Sequence, residues 1–252
     1  MKPEILGVKF DNASLHDALD AILGMLRSKS SRKNYYVVTP NPEFVMEAQK
    51  DADFKRILNG SDLSIPDGIG ILWSSRLLNR GLEHRSSGAD LVDLLLDVGN
   101  KNKWVFFFLG GRGETAYKAA DNVLAKYPDL TIGCFEGGPG EDFDTSSGDV
   151  IKSFARQHGG IHILLVAYGQ NKQEKWIDRN LGRLPVRVSI GVGGVLNYLA
   201  GNKVRAPKVI RNLGLEWLFR LLQEPRRFRR QLALPKFVFA VLKEKFTNKK
   251  SR

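Results

Sequence analysis

The segment WVFFFLGGRGETAYKAADNVLAKY, residues 104–127, decides the fold. Residues 104–110 are apolar throughout, as expected of a strand covered on both faces by helices. Three glycines follow within four positions, and then a helical pattern runs to Tyr127. Strand, glycine turn and helix make one βα unit.

The same alternation extends in both directions. Upstream, ILGVKF (5–10) reads as a strand, and Ser14 caps the helix that follows. YYVVT (35–39) is a strand stopped by Pro40 and Pro42. PEFVMEAQKDADFKRIL reads as continuing helix, LSIPDG (63–68) as a strand ending in a turn, and SSGADLVDLLLDVGN as a helix. Downstream, LTIGCF (130–135), IHILLVAYG (161–169) and VRVSIGVGG (186–194) read as strands, with QEKWIDRNL helical between the last two. Strands alternating with helices predict a Rossmann-like α/β fold, a largely parallel sheet flanked by helices. After Gly201 strand periodicity ceases, and two or three helices broken near Pro225 and Pro235 are expected. The predicted organisation is an α/β catalytic domain over residues 1–200 and a basic helical appendage over 201–252.

Charge draws the same boundary. The chain of 252 residues has 39 Lys and Arg, 27 Asp and Glu, and a net charge of +12. Residues 201–252 hold 15 basic and 3 acidic residues, and residues 1–200 hold 24 of each. A composition 42% hydrophobic fills a core and excludes wholesale disorder. Cys134 is the single cysteine, which excludes an internal disulfide and a cysteine-based zinc cluster. The N-terminus lacks the apolar stretch of a secretory signal, and no run of about 18–20 apolar residues predicts a membrane-spanning helix.

Ligands of parallel α/β sheets bind at the carboxyl ends of strands. Thr39, Asn41, Asp67, the glycines 110, 111 and 113, Gln170, Lys172, Gln173, Glu174 and Asn197 all follow expected strands. Gly110, Gly111 and Gly113 either approach a phosphate at the helix start or form an ordinary βα turn. Their spacing is neither G-x-G-x-x-G nor G-x-x-x-x-G-K-[ST]. Asp67, between Pro66 and Gly68, is either a general base or a turn aspartate bonded to its own backbone. GQNKQE (169–174) either surrounds a polar ligand or caps a helix. The histidines 16, 84, 158 and 162 lack metal-binding spacing and are read as non-ligands. In the tail, Trp217, Leu218, Leu221, Leu222 and Phe228 interleave with Arg220, Arg226, Arg227, Arg229 and Arg230. Such a mixture suits an anionic membrane, a diphosphate or nucleic acid. A plain solvated helix face accounts poorly for so lopsided a charge.

Taken together, VVTPNPEFV, IPDGIGI, GADLV, FFFLGGRGETAYKAADNVLAKYP, VAYGQNKQEKWI, IGVGGVLNYLAG and RAPKVIRNLGLEWLFRLLQEPRRFRR resemble the WecG/TagA/CpsF family of glycosyltransferases, over roughly residues 5–245. The resemblance implies transfer of a sugar, often N-acetylmannosamine, from a UDP-sugar donor. It implies a polyprenyl-diphosphate-linked sugar acceptor, commonly N-acetylglucosamine, on the way to teichoic acid, common antigen, capsule or exopolysaccharide. It further implies inverting, metal-independent transfer with no cofactor. On this resemblance Asp67 falls on the proposed base, Thr39 and Asn41 on the T-x-N-P-E motif, Arg85 on an arginine before the GxDL-like segment, and Gln173 on the K-Q-E glutamine. Arg211, Arg220, Arg227 and Arg230 fall among arginines that close the site on the diphosphate. Two positions depart from the pattern. Asn171 replaces a proline, and Leu196-Asn197-Tyr198 replaces F-D-F, so no aspartate is available there as base.

The expectation is therefore a peripheral enzyme on the cytoplasmic face of the cell membrane. It meets an anionic membrane surface and no nucleic acid, and assembly into a homo-oligomer stays open. An epimerase is disfavoured by the missing dinucleotide motif, and a nucleic-acid binder leaves Thr39 and Asp67 idle. A membrane scaffold is separated from an enzyme by donor turnover.

Overall fold

The structure is a computed structural model that describes residues 2–28, 34–225 and 228–249. The chain opens with β1 (Glu4–Ile5) and β2 (Val8–Lys9), an antiparallel pair. Leu6 and Gly7 between them both have positive φ, so the expected single strand 5–10 folds back as a hairpin. Helix α1 (Leu15–Arg27) starts with a capping box between Ser14 and Asp17. Strand β3 (Tyr35–Val38) leads into α2 (Pro42–Ala48). The expected continuous helix is interrupted here, because the Asp51 carboxylate accepts from the Phe54 amide and caps a separate helix, α3 (Ala52–Asn59). Strand β4 (Leu63–Ser64) precedes α4 (Ile69–Leu78), whose apolar run gave no helical signal in the sequence.

Helix α5 (Gly88–Lys101), strand β5 (Val105–Gly110), helix α6 (Thr115–Lys126) and strand β6 (Thr131–Phe135) follow. Next come a 3-10 turn at Glu141–Phe143, α7 (Asp144–His158), β7 (Ile161–Ala167), α8 (Lys172–Asn180), β8 (Val186–Gly191) and α9 (Val195–Leu199). The tail forms α10 (Lys208–Asn212), α11 (Glu216–Gln223), α12 (Phe228–Gln231) and α13 (Ala233–Lys249). Pro235 lies in the first turn of α13, where its missing N–H has no intrahelical partner to lose.

Strands β3 to β8 form one parallel sheet in the order β4-β3-β8-β7-β5-β6. The last strand in sequence thus lies near the centre, between β3 and β7. All six residues of β5 are buried. Phe107 and Leu109 face one core, with Trp176 and Phe44, and Phe106 and Phe108 face the other, with Leu91 and Leu95. Each fully buried side chain of this kind stabilises by roughly 1.5–3 kcal/mol. The tail returns to the body. Phe237 and Val241 of α13 lie in the first of these cores, and Glu244 pairs with Arg80 at 2.7 Å. Among the described residues, no helix is long and apolar enough to cross a membrane.

Candidate active site

The carboxyl ends of β3 and β4 face a cavity of about 290 Å³. Asn41, Asp67, Arg85, Ser87, Asp90, Arg211, Glu216, Trp217 and Arg220 line it, and Phe237 and Val238 of α13 close it. Sequence-distant elements therefore converge: turns after two strands, the start of α5, and helices α10, α11 and α13.

Local structure fixes each group. The Asp67 amide donates to the Pro40 carbonyl at 3.1 Å, and the Ser86 amide donates to the Pro66 carbonyl at 3.1 Å. These bonds pin the Asp67 turn between the β3 exit and the α5 start. The Asp67 side chain is enclosed by protein yet opens onto the cavity. Among the described residues none donates a hydrogen bond to its carboxyl. Burial pushes it up to about 7. Arg220 and Arg85 oppose that shift, and Glu216 and Asp90 reinforce it.

The arginines are held by partners. Arg85 Nη2 donates to the Arg211 carbonyl at 2.9 Å. Arg211 Nη1 reaches Asp90 Oδ1 at 2.7 Å, and Arg205 joins the same oxygen at 2.8 Å. Arg220 pairs with Glu216, and its guanidinium lies 5.4 Å from the Tyr198 ring centroid. Arg211 and Arg220 come from the basic tail, so the tail supplies positive charge to the cavity.

Thr39 follows β3 and packs against Gly88, the first residue of α5, and is not among the residues that line this cavity. Asn41 lines the cavity, but its Oδ1 accepts from the Glu43 and Phe44 amides and caps α2. Gln170 and Arg230 line a neighbouring groove of about 600 Å³. Glu43 belongs to both spaces. Its Oε2 accepts from Arg230 Nη2 at 2.8 Å, its Oε1 accepts from Gln231, and Arg230 Nη2 also reaches Gln170 Oε1 at 2.9 Å.

The remaining expected site residues lie elsewhere. Gly110, Gly111 and Gly113 have positive φ and form the β5 exit, where the Gly113 amide donates to Glu136. A Cβ on Gly110 would stand 2.9 Å from the Ala167 backbone, so both the positive φ and the close packing call for glycine there. Asn197 is half-buried in α9. These four residues line neither of the two cavities. Gln173 and Glu174 are buried under the end of β8. Arg227 lies outside the described residues.

Sequence reasoning missed Glu43, Asp90, Glu216 and Trp73, and it named Trp217 only as part of the tail's aromatic and basic mixture. The acidic ones stand in the quoted motifs NPE, GAD and LEW, but only long-range folding shows which arginine each meets.

The profile described as the Glycosyl transferase WecG/TagA/CpsF family matches residues 3–251. The chain is 36% identical over 215 residues to a Bacillus subtilis (strain 168) protein named N-acetylglucosaminyldiphosphoundecaprenol N-acetyl-beta-D-mannosaminyltransferase, covering 85% of this chain and 81% of the relative. A Staphylococcus aureus (strain MW2) protein of the same name is 31% identical over 251 residues, covering 100% and 96%. A third, from Bacillus spizizenii, is 33% identical over 211 residues, covering 84% and 80%. With a near-complete match and full-length relatives of one activity, the chain belongs to the WecG/TagA/CpsF family and is a glycosyltransferase.

Proposed function

We propose that the protein transfers N-acetylmannosamine from a UDP donor to a polyprenyl-diphosphate-linked N-acetylglucosamine, with inversion at the anomeric carbon. The carrying observation is Asp67, a carboxyl pushed up to about 7 and open to a cavity lined by arginines. A base with such a value is half ionised near neutrality and suits proton abstraction there. In the step, Asp67 takes the proton of an acceptor hydroxyl. The oxygen attacks the anomeric carbon, the bond to the diphosphate breaks, and UDP leaves with the electron pair. In this reading Arg85 and Arg220 supply positive charge on the side where negative charge builds, and the transfer proposed is metal-independent. Proton transfer of this kind contributes about 10²- to 10⁴-fold. The names of the three relatives support this donor sugar and acceptor.

The setting follows from the tail. Val209, Leu213 and Leu222 of the α10–α11 region are each more than 60% exposed, among basic residues. Apolar side chains rimmed by cations suit an anionic membrane surface, here the cytoplasmic face that bears the lipid acceptor. Residues 1–200 then form the catalytic body. Within 201–252, α10 and α11 face lipid and lend arginines, and α13 anchors the tail to the body. Asn197, where the family pattern has aspartate, favours a second reading in which a different hexose is moved by the same machinery.

The test is a donor screen with a polyprenyl-diphosphate N-acetylglucosamine acceptor, comparing wild type with D67N. Transfer from UDP-N-acetylmannosamine that falls about 10²-fold or more in D67N is expected. Near-normal turnover by a folded D67N removes Asp67 from the base role.

A further inference from the structure

The cavity beside Asp67 is lined by two chemically different sets of residues. Asp67, Arg85, Asp90, Arg211 and Arg220 bring charge, and Ile69, Trp73, Trp217, Leu234, Phe237 and Val238 bring apolar surface. The apolar set comes mostly from α4 and α13, which meet where a Cβ on Gly70 would stand 3.9 Å from the Phe237 ring. The charged set comes from the β4 exit, the start of α5 and the α10–α11 region.

Ile69 and Trp73 stand four residues apart on α4 and so share one face of it. The turn between α10 and α11 rests on that face. Gly214 has a φ of 74° there, and a Cβ on it would stand 2.8 Å from Ile69 Cγ2. Trp73 is 39% exposed and Trp217 40%, whereas the other two tryptophans, Trp104 and Trp176, are buried in the cores. Large apolar side chains left open around a cavity mark a place for apolar matter, because a bound hydrocarbon takes that surface out of water. A nucleotide-sugar has no hydrocarbon to offer, and Ile69, Leu234 and Val238 have no ring to stack on a base. Beside them, the guanidinium forks of Arg85 and Arg220 suit a diphosphate. The two linings together call for an amphiphile, a diphosphate joined to a hydrocarbon chain. A space of about 290 Å³ takes the start of such a chain and not its length.

We propose that Trp73 and Trp217, with Ile69 and Val238, form the subsite for the first isoprene units of the acceptor, and that this wall selects prenyl diphosphates over water-soluble ones. The subsite rests on the acceptor proposed above and assigns where its lipid begins.

The test uses the full chain as wild type, W73S, W217S and W73L. Calorimetry without detergent reads affinity for three probes: a short-chain prenyl diphosphate, methyl diphosphate and UDP. Wild type should bind the prenyl probe about 10- to 100-fold more tightly than methyl diphosphate, the scale of one buried apolar side chain. W73S and W217S should each remove most of that preference and leave UDP affinity within about twofold. W73L keeps apolar surface without a ring and should keep most of the preference. A wild type with no prenyl preference overturns the proposal, as does a folded W73S that retains it. W217S puts the same question from a separate helix. UDP affinity lost in W73S and W73L alike assigns the indole to base stacking and also overturns it. Probe binding is read without turnover. A wild type that prefers the prenyl diphosphate but transfers no sugar therefore sinks the functional reading and leaves the subsite standing.

Discussion

Thr39 packs tightly against Gly88: a Cβ on Gly88 would lie 3.0 Å from Thr39 Oγ1 and 3.3 Å from its Cγ2. The end of β3 is thereby seated on the start of α5, between Asn41 and Ser87, which both line the Asp67 cavity. Gly88 has no positive φ, so alanine there is conformationally permitted. The added methyl acts on Thr39 and leaves the helix intact. G88A should keep its melting temperature and lose about tenfold in turnover. A G88A enzyme with wild-type turnover, beside an impaired T39A, shows that the contact does not set the Thr39 position.

The ionisation of Asp67 gives a pH profile. With its carboxyl at about 7, donor-saturated turnover should rise with pH and level off above about 8. Arg220 holds the value down, and Glu216, its ion-pair partner, pushes it up. R220Q removes the first influence and frees the second. The acidic limb should then move to higher pH, and a limb that stays in place or moves down contradicts the assignment.

The same shift predicts a stability effect of opposite sign to the activity effect. In the unfolded chain Asp67 titrates near 3.8, and in the folded protein near 7, so folding favours the protonated form. That contribution is fully present below about pH 4 and is lost as pH rises through about 7. D67N cannot ionise and escapes the loss. Each pKa unit is worth about 1.4 kcal/mol, and the opening of the carboxyl onto the cavity reduces the sum to roughly 1–3 kcal/mol at about pH 8. Denaturant titration should show D67N more stable than wild type at that pH and equal to it near about pH 4.

Residues 104–127 show why the sheet was legible and the site only partly so. Unbroken apolar runs such as 105–109 fit only a doubly covered strand, and the βα alternation follows from them. The order of strands does not follow, because β8 inserts between β3 and β7 through pairings that no local pattern encodes. Helix α4 escaped notice because IGILW reads as apolar without showing a face. Asp67, Asn41, Arg85, Arg211 and Arg220 do share one cavity, and strand-end placement pointed to the first two. Placement says nothing of side-chain direction, and Gln173 and Glu174, also at a strand end, turn inward under β8. The ion pairs Arg211–Asp90 and Arg230–Glu43 join residues 121 and 187 positions apart, beyond any spacing rule.

The tail separates two roles that its charge alone merges. Phe237 is 1% exposed and packs in the body's core, whereas Leu213 and Leu222 are 66% and 74% exposed. Deleting residues 201–252 would strip the core and the surface together, so point variants are the sharper tool. F237A should destabilise by about 3–5 kcal/mol, read as a lowered denaturant midpoint. L213S/L222S should leave that midpoint unchanged. If α10 and α11 lie on lipid, each lost leucine removes roughly 1.5–3 kcal/mol of burial at most, and binding to anionic vesicles should fall at least tenfold. Turnover of a short-chain, water-soluble acceptor should be unaffected, because neither leucine lines a cavity. Vesicle binding that survives L213S/L222S and disappears only in high salt assigns membrane contact to the basic residues alone.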